Sequence, residues 1–120
     1  MPQDADTGRR GLENGYRRAD EIGALLGAVR INRSSNEFRW EDRIVLIKTG
    51  PSIVATRDTL RRVTAIICGK ETHNGWELYE MDPTTFEQLS VQSQSSGHNE
   101  NYRLVRQGQI RDHGRRIAVS

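Results

Sequence analysis

At 120 residues the chain has the length of one ordinary domain, enough to bury a single core and too short for two. It is polar, with 34% hydrophobic and 28% charged residues and a mean hydropathy of −0.75; no apolar run approaches the roughly 20 residues that a membrane span requires, and the acidic start Met1-Pro-Gln-Asp is unlike a signal peptide. The net charge of +2 conceals segregation: residues 1–70 carry thirteen basic and nine acidic side chains (+4), residues 71–100 carry six acids and no base (−6), and residues 101–120 carry five arginines against Asp112 (+4).

These properties lead to the expectation of a soluble, cytoplasmic protein with no membrane partner. Residues 1–10 lack a periodic apolar pattern and are expected to be a disordered lead-in. From there Leu12, Tyr16, Ala19, Ile22 and Leu26 recur at spacings of three and four, which predicts an amphipathic helix closed by Gly27 as its C-cap. Val29 to Asn32 reads as a short strand and Arg33-Ser-Ser-Asn36 as a turn. Phe38 to Trp40 and Ile44 to Ile47 predict a hairpin with Glu41-Asp42-Arg43 at its connection. The unbroken apolar run 44–47 suggests a strand buried on both faces, at the centre of a sheet.

Thr49-Gly-Pro-Ser52 breaks that strand. Ile53 to Thr56 can form a brief strand and 57–62 one or two helical turns. Val63 to Cys68 and Trp76 to Met81 predict a second strand pair around the polar loop 69–75, which contains an Asn-Gly turn. Asp82 as N-cap with Pro83 at the first helical position predicts a short second helix to Leu89. Residues 90–101 read as a flexible loop. Residues 102–120 are an Arg-rich tail, either adding edge strands or ordering on binding. The expected fold class is therefore α+β over a core of 11–89: an N-terminal helix packed on a mixed, mostly antiparallel sheet of four to six strands, with a short second helix.

Chemistry-bearing residues are few. Cys68 sits in an apolar run and reads as a small buried hydrophobe, and one cysteine cannot form an internal disulfide. His73, His98 and His113 lack the spacing of a zinc site. Sixteen of the 18 basic residues are arginine, the residue suited to bidentate contact with phosphate. Arg17, Arg18, Arg30 and Arg33 near the first helix and strand, with Arg103, Arg106, Arg115 and Arg116 in the tail, form a candidate nucleic-acid surface. The acidic block 71–100 offers these arginines another use, as partners within one chain or across a homodimer. Trp40 and Trp76 read as core or rim residues rather than as a base-stacking platform.

The stretch Glu37-Phe-Arg-Trp-Glu-Asp-Arg-Ile-Val-Leu-Ile-Lys48 joins a hairpin to three carboxylates and a lysine. The order of helix, strand, hairpin ending in Lys48, further strand pair and short helix resembles the core of the PD-(D/E)XK nuclease superfamily, including archaeal-type Holliday-junction resolvases, over residues 11–89. The stretch from Arg30 through Ser35 also resembles the basic, Ser-containing segment before the hairpin of resolvases. By that resemblance Glu13 matches the helix glutamate, Glu37 the hairpin acid and Lys48 the lysine. Glu37, with Asp42 if the register differs, would bind Mg²⁺ as the metal ligands of the catalytic set Glu13, Glu37, Asp42 and Lys48. Leu46 stands where the family places its second carboxylate, so the resemblance implies a degenerate member. The expected function is binding of DNA or RNA through Arg–phosphate contacts on a nuclease-like scaffold. The alternatives are a Mg²⁺-dependent nuclease, with Mg²⁺ as its only implied cofactor, and a non-enzymatic protein-interaction or regulatory subunit.

Overall fold

The computed structural model describes residues 5–32, 35–93 and 101–118, with side chains from residue 15 onward. The first helix, α1, spans Ala5–Leu26. Residues 5–10 of the expected lead-in therefore belong to the helix, and residues 1–4 lie outside the described residues. The helix stops where Gly27 takes φ +74°, a left-handed cap that costs glycine little. Its apolar stripe is real: Ala19 and Ile22 are fully buried against Phe38, Val45, Ile47 and Ile67.

Strands β1 (Val29–Asn32), β2 (Glu37–Trp40) and β3 (Arg43–Thr49) follow as an antiparallel meander. The hairpin between β2 and β3 turns through Glu41, whose φ is +57°. An L-residue with a long side chain is strained in that region, whereas glycine is not. Glu41→Gly is expected to raise stability by about 0.5–1 kcal/mol, read as a higher urea midpoint at unchanged slope.

The chain then forms β4 (Ser52–Thr56) and α2 (Arg57–Arg62), and returns as β5 (Ala65–Thr72), parallel to β3. Strand β6 (Gly75–Met81) is antiparallel to β5, and the two run closer together than the expected loop 69–75 would allow, turning at His73-Asn74. Helix α3 (Pro83–Leu89) starts as the sequence indicated, with the Asp82 carboxylate accepting from the Thr85 N–H at 2.9 Å. The remainder is β7 (Val91–Gln92), β8 (Tyr102–Arg106), α4 (Gln107–His113) and β9 (Arg115–Ile117).

The fold is α+β, with a six-stranded mixed sheet in the order β1-β2-β3-β5-β6-β9 and a three-stranded sheet in the order β4-β8-β7. Only the β3–β5 pairing of the large sheet is parallel, because the β4–α2 connection is long enough to carry the chain back over one face. That face and its opposite hold separate cores. Phe38, Val45, Ile47, Ile67 and Leu78 pack under α1. Leu46, Ile66, Cys68, Tyr79 and Met81 pack against Ile53, Leu60, Phe86, Val105 and Ile110, which come from the small sheet and the three short helices.

Two expectations need correction here. Of the two readings of the tail, added edge strands hold for β9, which closes one edge of the large sheet, whereas β8 is the middle strand of the small sheet and Val105 and Ile110 are fully buried. The core therefore extends well past residue 89. Within the expected loop 90–101, β7 is paired and Ser93 is fully buried; residues 94–100 lie outside the described residues.

Candidate functional site

The β2–β3 hairpin places Glu37 directly opposite Leu46, and Lys48 lies two residues further along β3. Directly paired residues, and residues two apart on a strand, share a face. Glu37, Leu46 and Lys48 thus project from the face that carries Cys68 and Tyr79, away from α1.

Glu37 is almost fully enclosed, its side chain 4% exposed, and its charge is met from two sides. Arg62 at the end of α2 donates from Nε to Oε1 at 3.0 Å, and Ser35 Oγ donates to Oε2. Arg62 also donates to Thr59 Oγ1 at 3.2 Å, which ties the ion pair to its own helix. Burial alone would raise the carboxyl pKa. The hydrogen bonds from Arg62 and Ser35, the Arg62 charge and a hydrogen bond with Asn32 together outweigh it and hold Glu37 below the ordinary carboxylate value.

Lys48 is placed differently. Burial pushes its pKa below the ordinary lysine value, and it makes no hydrogen bond or ion pair among the described residues. Its side chain borders a cavity of about 190 Å³ between the two sheets. Leu46, Val54 and Ala55 supply the apolar wall, and Ser35, Thr56, Thr59 and Tyr102 the polar one.

A count of donors and acceptors gives the cavity its chemical character. The Ser35 hydrogen is used on Glu37, and the Thr56 hydrogen on Thr59 Oγ1 at 2.9 Å. Thr56 Oγ1 in turn accepts from the Thr59 N–H at 3.1 Å, the N-cap bond of α2. Thr59 Oγ1 is engaged by both Thr56 and Arg62. The Tyr102 hydroxyl and the Lys48 amine have no partner among the described residues. The cavity is a surplus of donors around a cation, which suits a small anion.

No family model, curated protein or solved structure matches the chain.

The other members of the expected catalytic set are not gathered here. Asp42 is exposed in the hairpin turn, beyond the Trp40↔Arg43 pair at the far end of the ladder from Glu37. Three residue steps at about 3.4 Å each put that turn roughly 10 Å away. Glu13 belongs to the part of α1 whose side chains are not described, and α1 packs on the opposite face of the sheet. Among the described residues no three of His, Cys, Asp and Glu converge as metal ligands. Mg²⁺ prefers an octahedral oxygen shell, and a single carboxylate already committed to Arg62 and Ser35, facing Leu46, does not fit it.

The expected phosphate-contacting arginines divide into two groups. Arg30 is a structural strut: it bonds Asp20 Oδ1 at 2.7 Å, Asn36 Oδ1 at 2.9 Å and the Tyr16 carbonyl at 3.1 Å, and lies 4.6 Å over the Phe38 ring. Arg103 is held by Ser90 Oγ and Ser90 O, and Arg115 by Glu80. Arg18 stands 4.0 Å from Glu71, with both side chains well exposed. Arg17, Arg106 and Arg116 are exposed, and none of them forms an ion pair among the described residues. Arg33 lies outside the described residues.

Cys68 is fully buried, and its environment pushes the thiol up to about 11, which removes it as a nucleophile at neutral pH. Trp40 packs at the rim of the α1-side core with the Arg43 guanidinium 4.7 Å from its ring, and Trp76 packs at the same rim. Sequence reasoning missed Arg62, Thr56, Thr59 and Tyr102. The Thr-x-x-Thr spacing at the start of a short helix was the one local signal, as an N-cap pattern. Nothing local marks Tyr102 or Arg62, which reach the site through long-range packing.

Proposed function

We propose that this protein binds nucleic acid, seating a backbone phosphate in the cavity of Lys48 on a nuclease-like scaffold that lacks a working set of metal ligands. The observation that carries the reading is Lys48, without a partner among the described residues, on the wall of one cavity with the Tyr102 hydroxyl. Lys48 is partly buried without a counter-ion, which disfavours its charged form, and a bound anion would offset that cost. Arg17, Arg106 and Arg116 add exposed positive charge for non-specific contact with further phosphates. The retained order of helix, strand and hairpin ending in Lys48 supports the nuclease-like part of the reading.

The described residues contain no helix long and apolar enough to cross a membrane. A cytoplasmic location and a soluble nucleic-acid partner form part of this reading.

The test is a salt titration of affinity for plain duplex and single-stranded oligonucleotides. Each phosphate contact releases counter-ions, so the logarithm of affinity should fall with the logarithm of salt at a slope of about −0.7 to −0.9 per contact. Absence of binding at low salt, or a flat response, would reject the proposal in favour of a protein-interaction role.

A further inference from the structure

Resting on the phosphate reading above, we propose that the Lys48 cavity takes a terminal phosphomonoester, the phosphorylated end of a nucleic-acid strand, in preference to a phosphate within a continuous backbone. The walls come from five parts of the chain: the turn at Ser35, β3 with Leu46 and Lys48, β4 with Val54 to Thr56, α2 with Thr59, and β8 with Tyr102. They border a half-open cavity of about 190 Å³. That space suits a phosphate and part of its sugar, and is too small for a stretch of duplex.

The donors agree with this shape. An internal phosphodiester offers two non-bridging oxygens and continues as chain on both sides, so it suits an open groove. A terminal phosphate offers three oxygens on one tether and can enter a pocket between two sheets. Lys48 and Tyr102, from two different elements, are donors without a partner among the described residues, and they border the same cavity. The monoester also carries a charge of about −1.5 to −2 at neutral pH, since its second pKa is about 6, and so gains more from Lys48 than a diester does.

The neighbouring charges do not oppose it. Among the described residues Glu37 is the one carboxylate joined to the cavity wall, through Ser35, and its charge is met by Arg62. Cys68, which pairs with Lys48 across β3 and β5, stays protonated. The ligand's own second ionisation is therefore the step that titrates near pH 6.

Fluorescence anisotropy on the full chain tests the proposal with one oligonucleotide sequence in four forms: 5′-phosphorylated, 3′-phosphorylated, hydroxyl-ended and covalently closed as a circle. At least one phosphorylated form should bind about tenfold tighter than the hydroxyl-ended and circular forms. That advantage should grow from pH 5 to pH 7, shrink about fivefold in Tyr102→Phe and vanish in Lys48→Met. Equal affinity for all four forms, each still weakened by Lys48→Met, would overturn the terminal preference and leave the phosphate site standing. Affinities that Lys48→Met does not change would overturn both.

Discussion

Replacing Arg62 by methionine should destabilise the protein by about 2 kcal/mol at neutral pH, and the loss should disappear in acid. Glu37 is enclosed between β2, the Ser35 turn and α2, and Arg62 supplies both its counter-charge and two hydrogen bonds, at 3.0 and 3.4 Å. Removing one partner of a buried pair leaves the other charge uncompensated, which costs about 3–5 kcal/mol when both are buried. Arg62 is half-exposed, so water can reach part of the vacated position and the smaller figure applies.

The sign of the pH dependence follows from the direction of the Glu37 shift. In the native protein the folded carboxyl lies below its unfolded value, so its stabilising contribution is complete above the ordinary carboxylate value and is lost as pH falls through the folded one. Without Arg62 burial is opposed only by the hydrogen bonds of Ser35 and Asn32, so the folded value moves up from its native position. The stability that the ionised Glu37 gained from Arg62 is then missing at neutral pH, and the deficit shrinks as pH falls and the carboxyl is protonated. Chemical denaturation at pH 7 and near pH 3 should show the two proteins converging in acid. A double variant, Glu37→Met with Arg62→Met, should recover most of the lost stability, because a buried ion pair is often replaced by apolar side chains at little cost. A constant difference between wild type and Arg62→Met at both pH values would show that Arg62 acts through packing and not through Glu37.

The parts of this fold that were legible in the sequence are those set by local chemistry. The three-and-four spacing through Ala19 and Ile22 marks a helix face whatever it packs on, and Asp82-Pro83 marks a helix start by its own hydrogen bond. The run 44–47 marks a central strand because both its faces are apolar, and both faces of β3 are in fact covered. What stayed hidden depends on contacts between distant segments. Strand β4 reads like another member of the main sheet, yet it pairs with β8, some fifty residues away, in a sheet of its own. The tail reads as edge strands or as an arm because five arginines dilute its few apolar residues, and its share in the core shows only in Val105 and Ile110, which are fully buried. Gly114 looks like an ordinary loop glycine. A Cβ there would lie 2.5 Å from the carbonyl oxygens of Glu80 and Ile110, so it is the absence of a side chain that lets β9 dock.

The same division runs through the site. Glu37 and Lys48 were visible because a hairpin's register follows from its pattern, and Leu46 between them warned that the carboxylate set was incomplete. Arg62 and Tyr102 were not visible. They change the meaning of the two visible residues: Glu37 becomes half of an ion pair, and Lys48 is left as the unmatched charge.

Lys48→Met should therefore separate stability from function. Methionine has a similar length and no charge, so the variant avoids burying an unpaired ammonium, and at neutral pH it should be at least as stable as the wild type, by up to about 1 kcal/mol. Because the folded lysine value lies below its unfolded one, the penalty in the wild type is fully present at neutral pH and fades as pH rises toward the ordinary lysine value of about 10.4. The stability difference between the two proteins should close over that alkaline range. Affinity for nucleic acid should move the opposite way, falling by about tenfold or more, the effect of losing a hydrogen bond to a charged group worth about 1.5–3 kcal/mol. A residue that merely ends a strand would move neither quantity much, and a residue that holds the fold together would lower both. Only a lysine kept at a cost to the fold, for the sake of a bound anion, makes the protein more stable and less competent when it is removed. Unchanged affinity in a well-folded Lys48→Met protein would rule out the cavity as the phosphate site, however strongly the wild type binds.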